Sequence, residues 1–462
     1  MFKFDTKVQH LKYRVLREVA RAAWNDTLQE SLLDIPEVIA PGKTPTVRCC
    51  IYKERAIVNE RVKLAMGMRS SHPGVIEVIE IACDECPGGG YEVTSTCRGC
   101  LAHRCEQACK RGAISFDNNH VAHIDKSKCV ECGACAKVCP FTAIVSHKRP
   151  CVNACKIKAT SINKEKAASI DHSKCISCGA CVYQCPFGAI VDRSYILNVI
   201  DMIKKSENNT LYKTYAIVAP SIASQFTYTT QGKIITAIRK LGFYDVAEVA
   251  VGAYEAAMRE ARELSEKGFL ASSCCPAFVD YIEKNFPELL QFVSHTPSPM
   301  ALTASMIKEK EPDARVVFIG PCTAKKMEAK KENVAKYVDA VITFEELQAL
   351  IASKSINVDE LEEGEYKEPS SYYGRVFARS GGLGEALGEA LRAQGIDLEL
   401  KPQTCNGIEE CRIALLKKKK GILNANFIEG MACVGGCIGG AGCLTHGDYN
   451  DRIFNENIVP KE

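Results

Sequence analysis

Short apolar runs alternate with longer amphipathic segments through the second half of the chain. Three runs have the composition of buried strands: TYAIVAPS from residue 214, KGFLASSCC from residue 267 and ARVVFIGPC from residue 314. Three segments have helical spacing: ITAIRKLGF from residue 235, AYEAAMREARELSEKG from residue 253 and GGLGEALGEALRAQG from residue 381. Strands that alternate with helices predict parallel βα architecture, and so an α/β domain over residues 210–462.

The distribution of cysteine divides the rest of the chain. The 462 residues include 26 cysteines, which are dense from Cys83 to Cys185 and absent from residue 186 to residue 273. This pattern predicts a metal-rich module over residues 81–195, between the α/β domain and an N-terminal segment of residues 1–80. The sequence assigns no role to that first segment.

Charge and hydropathy exclude several kinds of partner. Lys and Arg number 59 and Asp and Glu number 56, a net charge of +3, so no general attraction to nucleic acid or to a membrane surface is expected. No run approaches the about 18 apolar residues of a membrane span, and the first residues lack the apolar region of a secretory signal. A reducing cytosol disfavours disulfides. We therefore expect a cytoplasmic protein whose cysteines serve metal binding, catalysis or burial.

The metal-rich module contains an internal repeat. The spacing C-x2-C-x2-C-x3-C-P occurs at Cys129 and again at Cys175, an offset of 46 residues. This spacing is typical of bacterial ferredoxins, in which three cysteines bind one [4Fe-4S] cluster and the fourth binds its neighbour. Structural zinc or plain burial are the alternatives, but zinc sites use paired C-x2-C units. The repeat predicts α+β ferredoxin-like iron–sulfur domains.

Pairing the cysteines by this rule predicts four ligand tetrads. The first copy gives two of them: Cys97, Cys100, Cys105 and Cys139, then Cys109, Cys129, Cys132 and Cys135. The second copy is incomplete, because the positions equivalent to Cys97 and Cys100 are Ala143 and Ser146. Cys83 and Cys86 are predicted to fill that gap, giving the tetrads Cys83, Cys86, Cys151 and Cys185, then Cys155, Cys175, Cys178 and Cys181. The number of accessory clusters is thus predicted to be three to four.

Cys49 and Cys50 lie outside these tetrads. They occur in an apolar-flanked run with strand-like character, so a buried, structural position is expected for both.

Three segments of the α/β domain carry further cysteines: SSCCPAF from residue 272, GPCTAKKME from residue 320 and EGMACVGGCIGGAG from residue 429. Together and in this order, behind a ferredoxin-like module, they resemble the [FeFe]-hydrogenase signatures T-S-C-C-P, P-C-x2-K-x2-E and E-x-M-A-C-x2-G-C-x2-G-G. The resemblance covers residues 81 to 462. It implies a catalytic domain of two βα lobes around the H-cluster, a [4Fe-4S] cube bridged to a diiron subsite with CO, cyanide and azadithiolate ligands.

The resemblance also implies roles for single residues. Cys275, Cys322, Cys433 and Cys437 match the ligands of the cube, and Cys437 also matches the bridge to the diiron subsite. Cys274 matches the thiol that passes protons to the azadithiolate, and Lys325 the lysine that contacts a cyanide ligand. The residues that match the pocket lining and the proton relay are Ala219, Pro220, Ser221, Ser294, Ser298, Pro299 and Met431.

The implied activity is reversible H2 oxidation and proton reduction, with electrons exchanged with a ferredoxin-like carrier and the diiron subsite installed by maturation enzymes. The alternative is a hydrogenase-like protein of redox sensing or cluster assembly, a class that retains the cube cysteines and loses the residues around the diiron subsite. The family's relay glutamates upstream of Cys274 have no clean match. Glu255 and Glu260 are the nearest candidates.

Overall fold

The N-terminal segment is helical in this computed structural model, which describes residues 4–68, 72–87 and 89–458. Its helices are α1 (Lys7–Trp24), α2 (Leu28–Ser31), α3 (Ile35–Ile39) and α4 (Ile51–Ala65). Thr6 and Gln9 form a capping box that fixes the start of α1. The apolar face of α1, including Leu16 and Val19, is buried in one core with strands from the second half of the chain. The segment therefore packs on the α/β part of the molecule.

The expected burial of Cys49 and Cys50 is wrong. Both thiols are exposed, and Cys50 is the residue that directly precedes α4. The apolar residues that follow have helical spacing, with Ile57, Val58 and Val62 buried. This helical pattern outweighs the short strand-like run before it.

The cluster module is built from short strands and single helical turns. In chain order these are β1 (Ile76–Val78), β2 (Gly90–Val93), α5 (Arg104–Gln107), β3 (Ile114–Phe116), β4 (Ala122–Ile124), α6 (Ala134–Val138), β5 (Ile144–His147), α7 (Pro150–Ala154), β6 (Thr160–Ile162), β7 (Ala168–Ile170), α8 (Ala180–Tyr183) and β8 (Ile190–Asp192). The hairpins β3–β4 and β6–β7 have the same register at the 46-residue offset, Ile114 opposite Ile124 and Thr160 opposite Ile170. The sequence repeat is therefore a structural repeat.

The first ferredoxin-like unit is inserted within the second. Strand β5 pairs with β2, which lies in the same unit, whereas β8 pairs with β1, which precedes the whole first unit. The second unit consequently takes its first strand, and the turn that carries Cys83 and Cys86, from upstream of residue 90. The position of Ala143 and Ser146 is occupied by the end of the first unit. Strand β1 itself lies before the predicted boundary at residue 81.

The second half of the chain contains the remaining elements. They are α9 (Ile196–Lys205), β9 (Thr214–Val218), α10 (Gln231–Leu241), β10 (Asp245–Glu248), α11 (Val249–Lys267), β11 (Leu270–Ala271), α12 (Pro276–Asn285), α13 (Pro299–Lys310), β12 (Arg315–Gly320), α14 (Ala324–Glu328), α15 (Glu332–Ala335), β13 (Ala340–Thr343), α16 (Phe344–Ser353), α17 (Tyr372–Arg375), α18 (Gly382–Ala393), β14 (Pro402–Asn406), α19 (Ile408–Lys419), β15 (Phe427–Met431) and α20 (Asp448–Ile458). Further 3-10 turns lie at Glu80–Ala82, Pro220–Ser224, Pro287–Phe292, Val358–Glu360, Val376–Ala378 and Gly436–Gly439.

Two parallel sheets form the framework of this half. One has the order β10-β9-β12-β13 and the other β11-β15-β14. The three predicted strands and three predicted helices are all present, so the predicted α/β architecture is confirmed. The segments with candidate site residues follow the carboxyl ends of β9, β11, β12 and β15, where ligand sites of parallel sheets form. Within the described residues, no helix is both long and apolar enough to cross a bilayer.

A buried network of ion pairs joins the three parts of the chain. Lys12 of α1 contacts Asp192 of β8 at 2.5 Å and Glu345 of α16 at 2.6 Å. Lys326 of α14 contacts Asp192 and Glu346 of α16, both at 2.8 Å. Burial favours the neutral form of Asp192, but the two ammonium groups outweigh burial and lower its pKa. The network therefore holds the N-terminal helix, the cluster module and the α/β domain in one arrangement.

Removing one cation from this network is expected to destabilise the fold strongly. Lys326→Met leaves Glu346 buried without a cation, and breaking a buried pair in this way costs about 3–5 kcal/mol. Urea unfolding followed by circular dichroism measures the change. The matched control is Lys205→Met, because the ion pair of Lys205 with Asp201 is exposed and its removal is expected to leave the urea midpoint unchanged. Equal midpoint shifts in both variants would contradict the role of the network.

Candidate active site

Four cysteines from three chain segments converge at the carboxyl ends of the strands. Cys275 precedes α12, Cys322 follows β12, and Cys433 and Cys437 follow β15. Burial raises the pKa of Cys433 well above its usual value, and neighbouring thiolates, including those of Cys322, Cys275 and Cys437, raise it further. Burial likewise raises the pKa of Cys322 to about 11 and that of Cys437 to about 12. The four thiols therefore lie close together and are partly buried, and they line one pocket.

The donor set suits an iron–sulfur cube. Among the described residues, no three Cys, His, Asp or Glu side chains lie close enough together to hold a single metal ion. A cube binds each thiolate through a different iron, so its ligands are spread more widely than those of one ion. Four partly buried thiols without any carboxylate or imidazole in the set fit that requirement. The ligand roles of these cysteines stay predictions.

Lys325 and Cys274 lie at the same pocket. Lys325 is buried on α14, and its Nζ donates to the carbonyl oxygen of Cys274 at 3.2 Å and contacts the Glu328 carboxylate at 2.6 Å. Burial disfavours its charge, but Glu328 and the nearby thiolates outweigh burial and raise the pKa of Lys325. Burial, followed by the charges of Glu260 and Cys275, raises the pKa of Cys274 well above its usual value. The pocket thus holds a buried cation beside a thiol that retains its proton.

The predicted lining residues lie in the turns around this pocket. Ala219, Pro220 and Ser221 follow β9, and a Cβ on Gly320, two residues before Cys322, would lie 3.1 Å from that of Ala219. The Ser221 hydroxyl is buried and has no hydrogen-bond partner within the described part of the chain. Such an orphaned donor beside a thiol-lined pocket fits a polar bound group.

The other predicted lining residues have structural contacts. Ser298 caps α13 by accepting a hydrogen bond from the amide of Ala301, and Pro299 is the first residue of that helix. Met431 is buried at the end of β15, two residues before Cys433, and its carbonyl accepts from the Gly407 amide. These contacts position the turns, and they leave the cofactor-contact roles of the three residues as predictions.

A chain of polar groups leads from Cys274 toward solvent. Glu260 is 1 % exposed, and its carboxylate accepts hydrogen bonds from the amide and hydroxyl of Ser273 at 3.5 and 3.4 Å. Burial raises the pKa of Glu260 to about 7. The second carboxylate oxygen of Glu260 is buried, and within the described residues it has no hydrogen-bond partner, although Ser294 lies beside it. Ser294 donates to Glu263 at 2.7 Å. The Glu263 carboxylate contacts His295, whose side chain is 79 % exposed.

The sequence alone does not identify Glu263, and it leaves Glu255 and Glu260 as two candidates for the relay glutamate. The structure separates them. The Glu255 side chain is 42 % exposed and paired with Arg259, whereas Glu260 and Glu263 lie on the face of α11 that meets Ser273 and Ser294. The signal was present as a spacing of three residues, which places two helical side chains on one face.

The accessory cysteines group as the repeat suggests. Cys105 lies beside Cys100 and Cys139, and Cys135 beside Cys129 and Cys109. Cys97 packs in the same small core as Cys105, and Cys132 lines one cavity with Cys109, Cys129 and Cys135. In the second unit, Cys151 lies beside Cys185, Cys86 and Cys83, and Cys181 beside Cys178, Cys175 and Cys155. Burial raises the pKa of Cys151 to about 11, and the neighbouring thiolates add to that rise.

Backbone amides donate to at least one sulfur in each predicted tetrad, and in one tetrad Cys175 also accepts, from the Ser177 amide. The other donors are the alanines four residues after a cysteine: Ala113 to Cys109 at 3.3 Å, Ala143 to Cys139 at 3.4 Å, Ala159 to Cys155 at 3.1 Å and Ala189 to Cys185 at 3.2 Å. The pattern repeats at the 46-residue offset. Hydrogen bonds to the sulfur ligands of a cluster raise its reduction potential, so a cluster in either unit would have its potential tuned by the same contact.

The second unit meets the active-site pocket directly. Cys178 is among the thiols whose charge raises the pKa of Cys433, and the pKa of Cys178 is itself raised to about 12 by burial, with Cys275 among its neighbours. Thr323, next to Cys322, donates to the carbonyl of Ser177 at 2.6 Å. One accessory tetrad therefore adjoins the pocket of four cysteines.

Known families match both the α/β domain and the cluster module. Residues 212–441 match the family described as "Iron only hydrogenase large subunit, C-terminal domain". Residues 128–188 match a "4Fe-4S double cluster binding domain", and residues 96–143 match a "4Fe-4S dicluster domain".

Individual relatives fall into two groups. The chain is 30 % identical over 298 residues to Iron hydrogenase 1 of Clostridium pasteurianum, covering 53 % of this chain and 52 % of that protein. It is 28 % identical over 383 residues to the Periplasmic [Fe] hydrogenase large subunit of Nitratidesulfovibrio vulgaris, covering 71 % and 87 %. It is also 40 % identical over 91 residues to the Cytosolic Fe-S cluster assembly factor NAR1 of Kluyveromyces lactis, covering 20 % and 19 %. The chain thus spans about half the length of the clostridial relative.

The buried carboxyl group of Glu260 is expected to make stability depend on pH. Its pKa of about 7 in the fold exceeds its ordinary 4.5, so the folded chain holds a proton that the unfolded chain has released between these values. The free energy of unfolding therefore falls as pH rises through this window, by about 3 kcal/mol for this group. Urea titrations across the window are expected to show that Glu260→Gln abolishes this part of the slope.

Glu255→Gln is the control for that measurement, because the Glu255 side chain is partly exposed on the same helix and pairs with Arg259. It is expected to keep the wild-type slope. A wild-type slope in Glu260→Gln would show that Glu260 does not titrate in this window.

Proposed function

Because the chain belongs to the [FeFe]-hydrogenase-like family, we propose that it catalyses the reversible reduction of protons to H2. The observation that carries this proposal is the buried chain of polar groups from Cys274 through Glu260 and Ser294 to Glu263. A purely electron-carrying or cluster-carrying site has no need of a proton path. A reaction that consumes protons in a buried pocket requires one.

In this proposal, Cys275, Cys322, Cys433 and Cys437 hold the cube of an H-cluster, and the two parallel sheets act as two lobes around it. The cluster, with its CO-, cyanide- and azadithiolate-ligated diiron subsite, supplies the metal chemistry that joins protons and electrons. Lys325 provides a buried positive charge for an anionic ligand. Ser221, Ser298, Pro299 and Met431 shape the pocket wall around the diiron subsite.

The protein's own task is to deliver protons. Cys274 keeps its Sγ proton because burial disfavours the thiolate, so it serves as the last donor before the pocket. Glu260, with a pKa of about 7, gives and accepts a proton near neutral pH with little bias. The Ser294 hydroxyl lies between the two carboxyl groups and donates to Glu263. Transfer from Glu260 in this proposal requires the Glu260 carboxyl proton to reach the Ser294 oxygen, which can accept while its own proton is donated. Glu263 exchanges protons with solvent beside the exposed His295.

Electrons take a separate route in this proposal. Four accessory [4Fe-4S] clusters, one in each cysteine tetrad, relay single electrons between the pocket and a ferredoxin-like carrier. Maturation enzymes install the diiron subsite. A cytoplasmic location suits a chain with so many reduced thiols.

The second candidate function is cluster assembly or redox sensing. The similarity to the assembly factor of Kluyveromyces lactis favours it, although that similarity covers 20 % of this chain. Such a function needs the four cube cysteines and not the proton path. The two candidates therefore differ in whether Glu260 matters for turnover.

Glu260→Gln is expected to lower H2 production from reduced methyl viologen by about 10²- to 10⁴-fold, the usual contribution of one proton-transfer group. The assay uses protein loaded with a synthetic diiron cofactor. Glu255→Gln is expected to retain wild-type rates, because its carboxylate lies outside the path. Infrared bands of bound CO and cyanide should be present in all three proteins. Their absence from the wild type, together with absent H2 production, would favour the second candidate.

The fourth accessory cluster is tested by iron content. Cys83→Ser with Cys86→Ser is expected to remove about four irons per chain, the content of one [4Fe-4S] cluster. Cys49→Ser with Cys50→Ser is the matched control, because it removes two exposed thiols that have no part in any tetrad. Unchanged iron in the first double variant would remove Cys83 and Cys86 from the ligand set.

A further inference from the structure

The internal repeat gives two equivalent surfaces, one in each ferredoxin-like unit. One is buried against another part of the chain and the other is exposed to solvent. In the second ferredoxin-like unit, this surface packs on the α/β domain. The residues at the 46-residue offset in the first unit form its counterpart. Comparison of the two copies therefore indicates what the bare surface is built to contact.

In the second unit, the surface consists of Ile157, Ile176, Ser177 and Cys178. Ile176 is 1 % exposed and shares a core with Phe278 and Ala324 of the α/β domain, and Ile157 packs against that same core. Thr323 donates to the Ser177 carbonyl. This is the surface through which the adjoining tetrad meets the active-site pocket.

In the first unit, the equivalent residues are Arg111, Val130, Glu131 and Cys132. All four are exposed, and Val130 is 56 % exposed where Ile176 is 1 % exposed. All twenty predicted ligands lie within the described residues. Of these twenty, Cys132 is exposed and the other nineteen are buried or partly buried. Gly133 on this surface is covered by Tyr91 of the same unit. A predicted cluster ligand thus reaches solvent at the position where its counterpart Cys178 meets Cys275.

The bare surface also differs in charge. A cavity of about 360 Å³ opens beside Cys132, and Lys110 and Arg111 line it. Both are exposed, and neither forms an ion pair with a residue in the described part of the chain. Arg111 replaces the apolar Ile157 of the second unit, while Glu131 replaces Ser177. The surface around the cavity therefore carries one exposed apolar residue, Val130. It also carries two cations without ion pairs and a single carboxylate, that of Glu131.

We propose that the carrier face, formed by Lys110, Arg111, Val130 and Cys132, is the docking surface for an acidic one-electron carrier protein. Val130 supplies the apolar contact that Ile176 makes in the second unit, and the two cations attract carboxylates around the carrier's redox centre. One electron passes from the reduced carrier to the cluster of the Cys132 tetrad, and the carrier is oxidised by one electron. The inference rests on the proposed function, since it assigns the entry point of that electron route.

The charge on the carrier face is tested by electron delivery, not by H2 production. A prereduced acidic [2Fe-2S] ferredoxin is mixed with the full chain carrying its [4Fe-4S] clusters. Freeze-quench electron paramagnetic resonance then distinguishes the two cluster types. Lys110→Glu with Arg111→Glu is expected to slow delivery about tenfold or more at low salt and to flatten its dependence on ionic strength.

Lys156→Glu with Lys158→Glu is the matched control. Lys156 is the repeat counterpart of Lys110, equally next to a ligand cysteine and exposed. This control is expected to deliver electrons at the wild-type rate. Equal slowing in both double variants, or no slowing in Lys110→Glu with Arg111→Glu, would overturn the docking surface.

Val130→Glu tests the other possible occupant, a second copy of the chain. It is expected to slow electron delivery without changing the sedimentation of the protein. Conversion of a dimer to monomers with unchanged delivery would make the carrier face a contact between copies and overturn the proposal. A chain that accepts electrons at this face and makes no H2 would overturn the proposed function alone.

Discussion

The buried ion network of Lys12, Asp192, Lys326, Glu345 and Glu346 is the constraint on which the arrangement of the parts depends. The five charges come from four different elements, and each lies where an unpaired charge is costly. Such a network has few alternative geometries, because moving any one element leaves a charge uncompensated. Lys326 follows Lys325 directly on α14. The same contacts that join the three parts of the chain therefore also fix the helix that carries the pocket lysine.

This arrangement separates two routes to one pocket. The cluster module meets the pocket through Cys178 and the Thr323–Ser177 hydrogen bond, on the side of Cys322 and Cys433. The polar chain approaches through Glu260 on α11, on the side of Cys274. Under the proposed function, electrons would pass between clusters without a continuous chain of polar groups, whereas protons would move only along one. The two routes use different elements, so each can be altered without disturbing the other.

Much of this organisation is readable from spacing. Parallel βα architecture, the 46-residue repeat and the grouping of Cys97 to Cys139 follow from local patterns, since ligands of one cluster unit lie within about 40 residues of each other. The pairing of β1 with β8 is not local, because a whole unit separates the two strands. The exposure of Cys49 and Cys50 could not be predicted, because it depends on where α4 begins. The choice of Glu260 over Glu255 depended on which face of α11 is buried, and the ion network depended on contacts across more than 130 residues.

The protonation of the polar chain bears on the direction of the reaction. Burial raises the pKa of Cys274 above its ordinary value, and it raises the pKa of Glu260 to about 7. A carboxyl group so poised is half protonated near neutrality, so it neither drives protons inward nor draws them out. Glu263 next to it has a lowered pKa, since its hydrogen bonds from Lys267, Ser294 and the His295 amide outweigh burial. Under the proposed function, the path would therefore support both directions, and any bias between H2 oxidation and H2 production would arise from the potentials of the clusters and their carrier.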